Sequence, residues 1–116
     1  LYQMVLNRGT YGGTQYFKPE VVDLFTSKQS AVSRRGLGFD RWDPIEDRHY
    51  PSKLASPQTY GHTGFTGTCI WVDPKYNLVY IFLSNRVHPN VSNKLGSLNI
   101  RPRIQDVVYE AITKGM

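Results

Sequence analysis

Two β-rich runs, Thr68-Cys69-Ile70-Trp71-Val72 and Leu78-Val79-Tyr80-Ile81-Phe82-Leu83, flank the segment Asp73-Pro74-Lys75-Tyr76-Asn77. The connection carries Pro at a type I turn position and Asn, which tolerates positive φ. This pattern predicts an antiparallel hairpin. Both runs are apolar at nearly every position, so both faces of the sheet must be covered. A hairpin alone cannot do that, and helices are required on each side. The hairpin therefore commits the chain to an α+β arrangement.

One covering helix is legible from about Ile100 to Lys114. Ile100, Ile104, Val107, Val108 and Ala111 form a single apolar stripe, with Pro102 in the first turn and Gly115 just past the end. The segment Gly36-Leu37-Gly38-Phe39-Asp40-Arg41-Trp42 alternates apolar and polar residues, a strand signature. The expectation is an antiparallel sheet of three strands, roughly 36–42, 66–72 and 78–84, with the C-terminal helix packed on it. Leu1 to Asn7 reads as the last turns of a helix, and Gly9 stands where a left-handed C-cap residue is favoured. No N-cap precedes that helix. An end without a beginning predicts that residues 1–116 are a single partial domain. Pro19 and Glu20 open a short helix whose apolar residues are Val21, Val22, Leu24 and Phe25. Thr10 to Phe17 reads as a short strand or an ordered loop. Asp43 to Thr59, with Pro44, Pro51 and Pro57, is a long connection of the kind that is functional or mobile.

No apolar run approaches the ~20 residues that span a bilayer. Leu1 to Asn7 has neither a basic leader nor a small-residue cleavage site, so no signal peptide is read there. The one cysteine, Cys69, excludes an internal disulfide and reads as a small buried hydrophobe. The net charge of +5 comes from scattered Lys and Arg, the tightest pairs being Arg34-Arg35 and Arg101/Arg103. Nucleic-acid binders gather such charge on one face, so nucleic acid is not an expected partner. His49, His62 and His88 lie thirteen and twenty-six residues apart, without the short spacing that puts two ligands on one helix face. Neither a metal nor a cofactor is expected.

The segment that carries chemistry is Tyr60-Gly61-His62-Thr63-Gly64-Phe65-Thr66-Gly67-Thr68, which runs into the first hairpin strand. Three glycines at spacing three let a backbone approach another group closely. A phosphate loop is excluded, because no Gly-Lys-Ser/Thr follows and the glycines precede a strand rather than open a helix. His62-Thr63-Gly64-Phe65-Thr66-Gly67 resembles the third signature of the serine β-lactamase and penicillin-binding superfamily, where Lys-Thr-Gly is usual and many class C-like esterases and peptidases carry His for Lys. The context is similar too: Gly36-Leu37-Gly38-Phe39 upstream, then Trp71-Val72-Asp73-Pro74, then Ser84-Asn85-Arg86-Val87-His88-Pro89, then a terminal helix. The order is that of the C-terminal third of the fold.

The resemblance implies roles by position. Gly64 would let the strand edge lie against substrate. The backbone N–H of Phe65 would be one of two oxyanion-hole donors. Thr63 would offer its hydroxyl to a substrate carboxylate or to a proton relay. His62 would stand in place of the Lys with a weaker grip on anions, since imidazole is only partly charged at neutral pH. That favours ester, amide or peptidoglycan-type bonds over penicillin. The resemblance also implies a small-molecule or peptidoglycan-like substrate and a periplasmic or extracytoplasmic setting. No Ser in this chain has Lys three residues later, the spacing of the superfamily's nucleophile and its Lys. Ser97-Leu98-Asn99 follows the third motif rather than preceding it, and reads as a loop and cap. The expectation is a C-terminal fragment of a serine hydrolase, inactive alone. The rival readings are a non-catalytic binding module and a self-associating fragment that forms a homodimer through an exposed strand edge.

Overall fold

The computed structural model describes residues 1–43 and 51–115. Helix α1 (Tyr2–Leu6) leads into a two-residue hairpin, β1 (Thr10–Tyr11) and β2 (Thr14–Gln15), and then into α2 (Pro19–Thr26). Strands β3 (Asp40–Arg41), β4 (Tyr60–Thr63), β5 (Cys69–Asp73) and β6 (Leu78–Phe82) form one antiparallel sheet in the order β3-β4-β5-β6. A short helix α3 (Lys94–Ser97) precedes α4 (Ile100–Lys114).

The β5–β6 hairpin forms as the sequence predicts. Pro74–Tyr76 makes a single 3₁₀ turn, the Asp73 side chain accepts from the Lys75 N–H, and Asn77 takes the left-handed conformation at φ 50°. Helices lie on both faces. On one, Cys69, Trp71 and Tyr80 are buried together, with Phe82 and Val108 of α4 packed against them. On the other, Tyr60 and Val72 join Met4 and Val5 of α1 and Val22 of α2, with Phe39 edge-on to Tyr60 at 5.4 Å.

Three expectations need correction. The sheet has four strands rather than three, because the Gly-rich segment Tyr60–Thr63 is itself a strand, between β3 and β5. The upstream strand is confined to Asp40–Arg41, and the first hairpin strand starts at Cys69, after a turn at residues 64–67. The apolar stripe of α4 faces the sheet only in part: Val108 packs on it and Pro102, Gln105 and Tyr109 are buried, while Ile104 and Val107 are exposed. In α2 likewise only Val22 of the four apolar residues is buried.

The connection before β4 also departs from a mobile loop. Residues 44–50, with Pro44 and His49, lie outside the described residues. Ser52, Ala55, Ser56 and Thr59 are buried. The Ser52 N–H donates to Gln105 Oε1 at 3.0 Å, and its hydroxyl donates to Asp106. The Ser56 hydroxyl and N–H donate to Asp73 at 2.5 and 2.9 Å, and the Tyr109 hydroxyl donates to the same carboxylate at 2.6 Å. Burial and that carboxylate push the Tyr109 hydroxyl pKa well above its ordinary value. This network ties Ser52 and Ser56, the start of the hairpin turn and α4 together.

Candidate functional site

Strand β4 pairs along its whole length with β5, but β3 meets it only at Tyr60 and Gly61. From His62 onward, β3 no longer covers the other edge. The chain then turns, with the Gly64 N–H donating to the Thr68 carbonyl at 2.8 Å and the Gly67 N–H to the Gly64 carbonyl at 3.0 Å. His62, Thr63, Gly64 and Phe65 therefore stand in sequence at the open end of one strand. A Cβ at Gly64 would come within 2.5 Å of the Thr68 hydroxyl, so this glycine serves the turn's own closure.

Two arginines from other elements hold the turn. Arg86 donates from Nε to the Phe65 carbonyl at 2.7 Å, from its backbone N–H to Thr66 at 2.9 Å, and lies 4.7 Å from the Phe65 ring centre. Arg101, at the start of α4, donates to the Gly67 carbonyl at 3.2 Å. Among the described residues nothing accepts the Phe65 N–H, and Phe65 is 76% exposed. A cleft of about 370 Å³ opens beside Thr63, Gly64 and Phe65, lined also by Arg86, Arg101, Asn93 and Leu95.

The neighbourhood of His62 was not legible in the sequence. Its Nδ1 lies 2.6 Å from the Thr63 carbonyl oxygen, and its Nε2 lies 3.0 Å from Arg35 NH1. Arg35 arrives from the segment between α2 and β3, twenty-seven residues upstream. Beside it, Arg34 grips buried Asp40 with two bonds of 2.6 and 2.9 Å and reaches Asp43 at 3.4 Å. That pairing raises the Arg34 pKa further above its ordinary value. Arg41 is held by the Thr26 and Pro57 carbonyls. Lys28, Arg34, Arg35 and Arg41 line one cleft of about 690 Å³. The tandem Arg34-Arg35 was visible as a charge pair, but no spacing rule links it to His62.

Among the described residues no group of three His, Cys, Asp or Glu is placed to hold a metal ion. No helix among them is long and apolar enough to cross a membrane. The arrangement offers an uncovered strand edge, an unengaged backbone N–H at its turn, and cations on both sides. Such a surface can hold an extended, anionic acyl compound along a strand and place a carbonyl oxygen at a backbone donor. It holds no side-chain nucleophile of the Ser-x-x-Lys type.

A sequence model of the family described as Beta-lactamase matches residues 12–103. An Escherichia coli (strain K12) protein named "Putative D-alanyl-D-alanine carboxypeptidase" is 40% identical over 93 residues, covering 80% of this chain and 21% of that protein. A protein of the same name from Salmonella newport is 37% identical over 100 residues, covering 86% of this chain and 23% of that protein. The chain thus spans about a fifth of the length of the curated relatives it matches. The crystal structure of a beta-lactamase from Mycobacterium bovis superposes with a TM-score of 0.75 at 24% identity, over 97% of this chain and 42% of that one.

Proposed function

The chain belongs to the beta-lactamase family, and on that premise we propose that it forms the substrate-side wall of a serine hydrolase active site within a longer protein. The proposed reaction is acyl transfer through a serine ester, followed by hydrolysis of an ester, amide or peptidoglycan-type bond. The nucleophile and its Lys come from the rest of that protein, and the chain alone is inactive. The name of its bacterial relatives favours a peptide ending in D-alanyl-D-alanine over the other substrates.

The observation that carries this reading is the open end of β4, with the Phe65 N–H unengaged at the turn that follows. In it, substrate lies along His62 to Gly64, Thr63 contributes a hydroxyl, and the Phe65 N–H stabilises charge developing on the carbonyl oxygen. Gly64 keeps the edge free of a side chain.

The test has two arms. The 116-residue chain is assayed with a chromogenic ester, a cephalosporin and an acylated peptide ending in D-alanyl-D-alanine, and is expected to show no turnover above buffer. The longer protein is expected to turn over at least one of them. Its Phe65→Pro variant, which lacks the N–H, is expected to lose about 10²- to 10³-fold in kcat. Turnover by the short chain that disappears on mutating one of its own serines overturns the proposal.

A second reading is favoured by a different observation. Among the described residues strand β6 ends the sheet order, with Ile81 in it 53% exposed and Leu83 just past it 77% exposed. An apolar edge strand is a template for another chain. We propose that the isolated chain pairs with a second copy through β6.

A further inference from the structure

We infer that Arg35, rather than His62, carries the fixed positive charge of this site, and that a neutral His62 positions it for a carboxylate-bearing substrate. The inference deepens the active-site reading above and rests on it.

The protonation pattern follows from which atoms can donate. A guanidinium has donors only and keeps its charge at any ordinary pH. In the 3.0 Å contact between Arg35 NH1 and His62 Nε2, the ring nitrogen therefore accepts. The Thr63 carbonyl oxygen can only accept, so Nδ1 at 2.6 Å donates to it. Together the two contacts specify one species, the neutral imidazole with its proton on Nδ1. A doubly protonated ring would direct an N–H at a guanidinium, setting two like charges about 3 Å apart. While Arg35 is in place, the ring is the partner of the site's cation.

Among the described residues, the charges around Arg35 leave it available. Its Nε is 3.9 Å from Asp40, outside hydrogen-bond distance. That carboxylate is already taken by the fork of Arg34 and the Arg41 backbone N–H. Asp43 lies with Arg34 as well. Arg41 is committed to two carbonyls. Lys28 faces the same cleft and adds to its positive sign. Among the described residues, the other guanidinium N–H groups of Arg35 have no acceptor within hydrogen-bond distance, and its side chain is 53% exposed. A planar guanidinium with spare donors fits a carboxylate in two-point contact. The anionic end of a peptide is such a group.

The test uses the full chain labelled with ¹⁵N-histidine, and two probes: an N-acetyl dipeptide with a free C-terminal carboxylate, and the same peptide as its carboxamide. Long-range ¹H–¹⁵N spectra at pH 7.5 are expected to show His62 as the Nδ1–H tautomer, assigned by its loss in His62→Gln. The carboxylate probe is expected to bind about tenfold tighter than the carboxamide, the size of one charge-assisted hydrogen bond. That preference should hold from pH 6 to 8.5. Arg35→Gln should abolish the preference and release the tautomer. Arg35→Lys should keep part of it, and His62→Gln, whose amide oxygen can still accept from Arg35, should keep most.

A charge carried by His62 would instead make the preference decay across pH 6 to 8.5 and vanish in His62→Gln. That result, an Nε2–H tautomer in the unmodified chain, or an undiminished preference in Arg35→Gln overturns the inference. If both peptides bind equally, the charge assignment fails and the substrate wall stands. If neither binds, the substrate wall fails as well.

Discussion

A methyl group on Gly61 would lie 1.9 Å from the Ile70 carbonyl oxygen and 2.8 Å from the Trp71 ring. Both are fixed parts of the sheet, so Gly61→Ala must push β4 off β5 at the residue before His62. The expected cost is about 2–3 kcal/mol, within the usual range for overpacking a core, read from urea denaturation. Gly64→Ala meets the rotatable Thr68 hydroxyl instead and is expected to cost less than half as much. Equal losses would mean that the β4–β5 register is wrong. From sequence, the three glycines announced a close approach without saying to what, and for Gly61 the neighbour is the chain's own next strand. His62, Thr63, Gly64 and Phe65 were found because they stand together in one motif. Arg35 was missed because its link to His62 is made by folding alone.

The hairpin was legible because its signal is local: β-rich runs around a turn whose residues suit it. Strand β4 was not, since Tyr-Gly-His-Thr carries no alternation of apolar and polar residues and its pairing partners supply the order. Helix α4 shows a different limit. Periodicity chose Ile100, Ile104, Val107, Val108 and Ala111 as its inner face, yet of these Val108 packs on the sheet while Gln105 and Tyr109 are buried far more fully. They are buried because they meet polar groups, Gln105 the Ser52 N–H and Tyr109 the Asp73 carboxylate. Hydropathy has no way to register such a match. Tyr109→Phe removes one donor from a buried carboxylate and is expected to cost about 1–3 kcal/mol. Val107→Ser is expected to stay within about 0.5 kcal/mol, as surface changes do. Thermal or urea unfolding of the two variants decides which face is inward, and a larger loss for Val107→Ser would reverse the helix.

Taken whole, the molecule has apolar residues at its surface on opposite sides of the sheet. On the face that α1 partly covers, Val79 is packed but Ile81 and Leu83 are exposed, and Ile104 and Val107 point away from the sheet on α4. Stable pairs bury about 1,200–2,000 Å² in total, and β6 offers backbone pairing to go with that area. Sedimentation equilibrium at micromolar concentration is expected to give twice the 13.3 kDa chain mass. Ile81→Lys, a charge on the edge strand, should return the chain to monomer. A monomeric unmodified chain would show that β6 does not recruit a copy. The Asp73 network has a consequence for the order in which this molecule is made. Synthesis delivers the carboxylate thirty-six residues before the Tyr109 hydroxyl that completes its bonding. Ser56, made earlier, and Lys75, in the turn itself, supply its other donors. The bonding of this acid is therefore completed from a segment that is made well after the turn that carries it.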